Sequence, residues 1–281
     1  MEKEYFIEKL EKRKMNPQEG KEFWNNKAKK IFIHLFNENE QRGPIIDDGS
    51  VEYLKQFIDF KGKSILDVGF GTGKHLKLMS DEGAAELCGV EMSDEMMKCA
   101  RKYFIESGMD IEKMELHNLF WEEIDLDKLN WRNKFDLVFA SKTPALDSYE
   151  SVKKLISASK KGIFFATHID ISEDVLSEVY REIHGREYDS KKWSYWHLFN
   201  ILYLDGYYAN IKIEEKKQRA EYPTDMMISR YIPRVFSKKS GEEPGERDLN
   251  ELKRLIKKYE VDGKVAAIIT RKIAFIYFEK S

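Results

Sequence analysis

Cysteine is nearly absent: Cys88 and Cys99 are the only two in 281 residues. So few thiols exclude a disulfide framework and a cysteine-based zinc site, and they suit a reducing compartment. An excess of one charge is also missing, since 48 Lys and Arg stand against 50 Asp and Glu for a formal charge of -2. A balanced chain has no overall attraction to nucleic acid or to an anionic membrane. Long apolar runs are lacking too. The opening MEKEYFIEKLEKRK is charged throughout, unlike a signal peptide, and no window approaches the ~20 apolar residues of a membrane span. The expectation is a cytoplasmic, unprocessed protein. Internal repeats and low-complexity tracts are absent, which excludes solenoid architectures.

What is present is the composition of a soluble globular protein, 42% hydrophobic and 35% charged, on a chain long enough to bury a large core. From Glu2 to about Ile58 the pattern is helical and charged, with Phe6, Leu10, Phe23, Ala28, Ile31 and Leu35 at helical spacing. Thereafter strands and helices alternate: strands near 64–68, 87–91, 113–117, 135–140 and 162–167, with helices near 73–80, 94–107 and 149–159 between them. Such alternation predicts an α/β fold with a doubly wound, mostly parallel seven-stranded sheet, because parallel strands need crossover connections. FDLVFA and GIFFAT are almost wholly apolar, as strands covered on both faces should be.

The rhythm changes beyond Ile169. Ser172 is placed to cap a helix running to His184, with Gly185 ending it, and a second helix runs from Trp193 to Leu204 before Gly206. A strand over 209–220 follows. Residues 223–245 hold three of the six prolines and read as an irregular insertion. A helix over 249–259 and an apolar closing strand, or bent strand pair, complete the chain. The expected organisation is a helical extension over 1–60 and an α/β domain over 61–281, with insertions at about 172–205 and 223–262.

The stretch SILDVGFGTGKHLKLM, from Ser64 to Met79, carries the chemistry. A P-loop needs a glycine five positions before its Gly-Lys pair and a Ser or Thr after it, whereas Val68 and His75 stand there. The dinucleotide fingerprint needs a third glycine where Lys74 stands, and the glycine comes one residue early at Gly73. What remains is Asp67 followed by Gly69, Gly71 and Gly73 at alternate positions. In this register Lys74 and His75 are ordinary first-turn residues of a helix. Glycines let a ligand approach the backbone, and Glu91, ending the next strand, can accept two hydrogen bonds from a diol. An NAD-dependent oxidoreductase stays open as the alternative.

LDVGFGTG, together with CGVEMSDEMMKCARK over 88–102, resembles the first two motifs of the class I S-adenosylmethionine-dependent methyltransferases. The resemblance implies a Rossmann-like domain with S-adenosylmethionine as cofactor, a pocket shaped by Asp67, Gly69, Phe70, Gly71 and Gly73, and Glu91 on the ribose. Met92 would stack on the adenine; Met96 and Met97 read as helix packing. The family's acid after the third strand is replaced by Asn118, beside Leu119, whose amide oxygen can accept from the adenine amine. FDLVFASKTPAL resembles the fourth motif and places Ser141 beside the reactive sulfonium. EFWNNKAKKIF resembles the Trp-containing helix that opens many small-molecule members. The Asn/Asp-Pro-Pro-aromatic signature of amino-methylating nucleic-acid enzymes is replaced by Ser141-Lys142-Thr143-Pro144.

The implied partner is therefore a small-molecule acceptor, with an RNA-directed methyltransferase as the rival and no membrane or metal partner. His168 is the one candidate for a catalytic base. Lys142, Trp193 and Trp196 are candidates for the acceptor pocket, the two tryptophans within an aromatic stretch that core packing mostly explains. Lys253, Arg254, Lys257 and Lys258 read as the solvated face of a helix. Oligomeric state and the acceptor atom are not written in the sequence.

Overall fold

A computed structural model describes residues 2–12, 14, 16–36, 48–236 and 244–280, with 30–36 as helical backbone only. Its elements run α1 (Lys3–Glu11), α2 (Pro17–Phe36), α3 (Ser50–Leu54), β1 (Ser64–Val68), α4 (Lys74–Asp81), β2 (Glu86–Val90) and α5 (Asp94–Glu106). Next come β3 (Met114–His117), β4 (Phe135–Ser141), α6 (Tyr149–Ala158), β5 (Ser159–Glu173), α7 (Asp174–His184) and α8 (Ser194–Leu204). The chain ends with β6 (Asn210–Pro223), α9 (Thr224–Val235), α10 (Glu246–Lys257), β7 (Glu260–Val261) and β8 (Lys264–Glu279). The expected side chains of Ile31 and Leu35, and the expected helix over 37–47, lie outside the described residues.

The strands form one sheet in the order β3-β2-β1-β4-β5-β8-β6, with β7 paired to β8 off this path. Neighbours from β3 through β5 are parallel. The reversal of strand order beside β1 puts a crevice at the carboxyl ends of β1 and β4, where open α/β sheets bind ligands. SILDV and most of FDLVFAS are buried on both faces, which explains their unbroken apolar character.

The chain divides into two compact units, one of 1–167, 194–212 and 274–281, the other of 168–193 and 213–273. In the first, Phe139, Phe164 and Phe275 form a run of ring contacts, with centroids 4.8 and 5.7 Å apart. Phe6 and Leu10 of α1 pack on Ile201 of α8. In the second, one face each of α7, α9 and α10 supplies a core that includes Leu176, Met227, Tyr231, Leu252 and Ile256.

Three expectations are corrected. β5 runs on to Glu173, and Glu173, not Ser172, occupies the position before α7. Residues 224–235, expected to be irregular, form α9, with Pro233 inside it and Met227, Ile228, Tyr231 and Val235 buried. That helical spacing outweighs the proline, which stands near the last turn. Residues 237–243 of the same expected insertion lie outside the described residues. Finally, α10 starts at Glu246, three residues earlier than expected.

Candidate active site

The turn after β1 uses its glycines for different purposes. Gly69, Gly71 and Gly73 all have positive φ, at 76°, 58° and 80°, a region that disfavours side chains. A Cβ on Gly69 would lie 2.2 Å from Thr143 Oγ1, and one on Gly73 would lie 2.2 Å from the Phe104 ring. A Cβ on Gly71 would meet nothing within 4 Å. The outer glycines are thus required by packing, whereas the middle one leaves open space.

Beside this turn, Glu91 follows β2 and is buried. Its Oε2 accepts the Gly71 N–H at 2.9 Å and its Oε1 accepts the Ser93 N–H at 2.8 Å. Burial pushes its pKa up, and these backbone donors work against that rise. Each oxygen keeps further acceptor capacity, enough for a diol. The Asn118 amide donates to the Glu91 carbonyl at 2.8 Å, which fixes the segment in which Glu91 and Met92 sit.

Glu91 and Gly71 line a cleft of about 550 Å³ open to solvent, together with Trp24, Met92, Trp121 and Lys142 among others. The side-chain amide oxygen of Asn25 in α2 accepts the Ser93 hydroxyl at 2.7 Å, and this contact carries the neighbouring Trp24 to the cleft. Trp121 is held by its indole N–H on the Ser151 carbonyl at 3.2 Å and by Lys154 over its ring at 4.9 Å.

Among the described residues, the buried Asp67 Oδ2 and Ser141 Oγ are two of the polar atoms with no hydrogen-bond partner. Both lie at the carboxyl ends of adjacent parallel strands, since Asp67 is in register with Phe139 and Ser141 is two residues farther along. Such orphaned groups cost stability unless a ligand or water satisfies them. Burial, reinforced by the Glu91 and Asp48 charges, pushes Asp67 well above the usual carboxylate range.

A second cluster stands next to the cleft. The buried Asp48 accepts the Ser50 N–H at 3.2 Å, the Ser50 hydroxyl, His75 Nε2 at 3.2 Å and the Lys142 ammonium, with Lys74 at 3.6 Å. Burial opposes the ionised Asp48, but the His75 hydrogen bond and the lysine charges overcome it and hold the carboxyl well below its usual range. Burial lowers the pKa of His75, and the hydrogen bond and charge of Asp48 work against that fall. Lys74 and His75 are therefore more than first-turn residues of α4.

Of the expected site residues, Gly69, Gly71, Glu91, Met92 and Lys142 line the cleft. Asp67, Gly73 and Ser141 stand behind it. The Phe70 ring is buried, filling the space where a Cβ on Gly89 would lie 2.5 Å away, and Phe70 is outside the lining. Asn118 and Leu119 are exposed and outside the lining. Trp193 and Trp196 are exposed at 44% and 46% and are also outside it. His168 lies within β5, in the second unit, rather than at a strand end. Met96, expected to be only helix packing, joins the lining, as do the unforeseen Trp121 and Glu122. Trp121 sits on a single turn with no periodicity to announce it. Trp24 and Thr143 belong to segments whose resemblance was noted without a role for either residue. Away from the cleft, the Cys88, Glu115 and His117 ligand atoms lie within 4.8 Å of one another. Glu115 there already pairs with Lys134 at 3.1 Å and His117 at 3.0 Å.

Residues 65–162 match the family model for a methyltransferase domain. A protein of Haemophilus influenzae of uncharacterised role is 36% identical over 66 residues, 24% of this chain and 26% of that one. A ubiquinone biosynthesis O-methyltransferase of Coxiella burnetii is 30% identical over 92 residues, 33% of this chain and 35% of the relative. The chain thus matches only about a quarter to a third of the length of these curated relatives. Among solved structures, a Haemonchus contortus phosphoethanolamine N-methyltransferase 2 in complex with S-adenosyl-L-methionine superposes with a TM-score of 0.50 at 16% identity. It covers 98% of this chain and 60% of that chain, a likeness of fold. Residues 65–162 are thus similar to a methyltransferase domain, and the α/β fold around them is like that of the solved methyltransferase.

Proposed function

We propose that this protein transfers a methyl group from S-adenosylmethionine to a small-molecule acceptor. The observation that carries the reading is Glu91: a buried carboxylate tied to the glycine turn by the Gly71 N–H, with acceptor capacity left on both oxygens for a ribose diol. The orphaned Asp67 and Ser141 atoms fit the same cofactor, which has polar groups to offer and no phosphate. The lack of a phosphate agrees with a glycine register that matches neither a P-loop nor the dinucleotide fingerprint.

The cofactor supplies an electrophilic methyl group on a sulfonium whose leaving group is already activated. The chain's own residues then have to align the partners and exclude water. Glu91 and the backbone around Gly71 hold and orient. Trp24, Met96 and Trp121 give the cleft apolar walls, and Lys142, Thr143 and Pro144 form the wall nearest the end of β4. The 1–60 extension contributes Trp24 and Asp48 to this region. No base is assigned, since His168 is not among the lining residues. Among the described residues no helix is long and apolar enough to cross a membrane, and both cysteines are free thiols. We place the activity in the cytoplasm on that footing.

Titration calorimetry with S-adenosylhomocysteine and, separately, NADH tests the cofactor. Binding of S-adenosylhomocysteine at one site per chain, without competition from NADH, is the expected result; binding of NADH alone would replace this reading with an oxidoreductase.

A further inference from the structure

Cys88, Glu115 and His117 meet on one face of the sheet. β2 and β3 are parallel neighbours, with Cys88 in register with Glu115 and Val90 with His117, and side chains two residues apart on a strand share a face. The thiol sulfur, a carboxylate oxygen and an imidazole nitrogen all lie within 4.8 Å of one another. Cys88 is buried, His117 half-buried and Glu115 exposed, so the set opens to solvent on its Glu115 side. No metal partner is expected from the sequence, and two cysteines exclude a zinc site of several thiols. One thiol beside an imidazole and a carboxylate is a different donor set, and only strand pairing brings residue 88 to 115 and 117.

These three groups have the chemistry of an open zinc site. A borderline-soft divalent ion takes thiolate, imidazole nitrogen and carboxylate oxygen together, and three protein ligands leave a fourth position for water. Bonds of ~2.3 Å to sulfur and ~2.0–2.2 Å to nitrogen or oxygen put the ligand atoms of a tetrahedral site about 3.3–3.6 Å apart. Glu115 Oε1 and His117 Nε2 are already 3.0 Å apart, and the rest of the set needs to draw in by no more than about 1 Å. Trp131, fully buried, stands at 85° to the His117 ring with centroids 5.1 Å apart, which fixes the imidazole. Burial opposes the ionised Glu115, but hydrogen bonds from His117 and Lys134 hold its carboxyl below the usual range. The Lys134 ammonium, 3.1 Å from Glu115 Oε2, is the cation now in place.

We propose that Cys88, Glu115 and His117 form a binding site for a zinc-like divalent ion, with the fourth position left to water. The site lies outside the cleft and does not depend on the methyltransferase reading. On binding, the Cys88 S–H bond breaks, its proton passes to solvent and the sulfur electron pair forms the bond to the ion. Glu115 exchanges the Lys134 ammonium for the ion, and His117 gives a nitrogen lone pair. Thiolate and carboxylate together match the two charges of the ion. The ion ties β3 to β2 next to Glu91, whose N–H donates to the His117 carbonyl at 3.0 Å.

The test is calorimetric titration of zinc chloride into the untagged whole chain at about pH 8, in two buffers of different ionisation enthalpy. One ion per chain with a Kd of about 10 µM or tighter, and release of about one proton per ion, are expected. Cobalt chloride should give a thiolate-to-cobalt charge-transfer band that is lost in Cys88→Ser and kept in Cys99→Ser. Cys88→Ser and His117→Gln should each weaken zinc by at least about 10-fold, the loss of one ligand. Lys134→Met should tighten it by about 2-fold or more, because the resident cation is gone. If Cys88→Ser does not fold, the wild-type cobalt band and His117→Gln still decide. No saturable zinc binding, equal binding by His117→Gln or a cobalt spectrum without the charge-transfer band overturns the proposal. So does loss of the band in Cys99→Ser, which would move the thiolate elsewhere. Zinc affinity unchanged or weaker in Lys134→Met also overturns it, since the ion would then not take the place of the ammonium.

Discussion

Both units bury carboxylates, and those set side by side here live differently. In the second unit Glu173 is 1% exposed and is met by the Tyr231 hydroxyl at 2.6 Å, Arg234 at 2.8 Å and Arg230 at 3.3 Å. In the first, Asp67 is also 1% exposed, yet among the described residues its Oδ2 has no partner, and Glu91 is held by backbone donors. Glu173, surrounded by cations of its own unit, serves the fold. A carboxylate left short of partners at a strand end is arranged for something that binds.

Removing the carboxylate from each kind of site should therefore have opposite signatures. Glu173→Ala strands two arginines and a buried tyrosine, a loss of about 3–5 kcal/mol for breaking a buried ion pair. It should lower the urea midpoint sharply while the folded fraction keeps its affinity for S-adenosylhomocysteine. An affinity change larger than the stability change would contradict the comparison. Glu91→Ala should do the reverse, weakening S-adenosylhomocysteine by about 1.5–3 kcal/mol, the worth of a hydrogen bond to a charged group. Its urea midpoint should fall by less than that of Glu173→Ala, because backbone donors rather than charges are stranded. Equal affinities in calorimetry would remove Glu91 from the ribose role.

Asp67 sharpens the contrast through pH. Its folded pKa is raised above the ordinary 3.8 by burial, with the Glu91 and Asp48 charges adding to the rise. A raised carboxyl contributes stability that is full below its unfolded pKa and is lost as pH climbs through the folded value. Asp67→Asn does not titrate, so its stability advantage over wild type should grow steadily from about pH 4 upward. It should reach at least about 1 kcal/mol by pH 9, the equivalent of less than one unit of displacement. A thermal-midpoint difference that is flat with pH would show that Asp67 is not held in its neutral form.

How much of this was legible in the chain follows from distance along it. Asp67, the three glycines and Glu91 lie within 25 consecutive residues, and their spacing alone gives both the turn and the diol acceptor. Lys74 and His75 lie in the same stretch, but their partner Asp48 sits 27 residues before His75, beyond any periodic pattern. Local reading therefore treats them as helix residues. The length of β5 was present in the sequence as the alternation of His168, Ile169, Asp170 and Ile171, a period of two. The capping preference of Ser172 masked it. In α9 the breaker signal of Pro233 concealed helical spacing that tertiary burial enforces.

Glycine substitution gives the smallest and most selective separation of the two units. Gly71 and Gly185 have nearly the same backbone, φ of 58° and 64°, and a Cβ on either meets nothing within 4 Å. Gly185 ends α7 in the left-handed conformation, whereas Gly71 faces the cleft. Gly71→Ala and Gly185→Ala should thus cost the same conformational strain, about 1–2 kcal/mol each, read as matched falls in urea midpoint. They should part on binding. The methyl group of Gly71→Ala projects into space a ligand needs for its approach to the backbone, so S-adenosylhomocysteine should bind at least about 5-fold more weakly, roughly 1 kcal/mol. Gly185→Ala should bind as wild type does. Equal binding by both variants would mean that the open space at Gly71 belongs to the turn alone, and that the packing needs at Gly69 and Gly73 are sufficient reason for all three glycines.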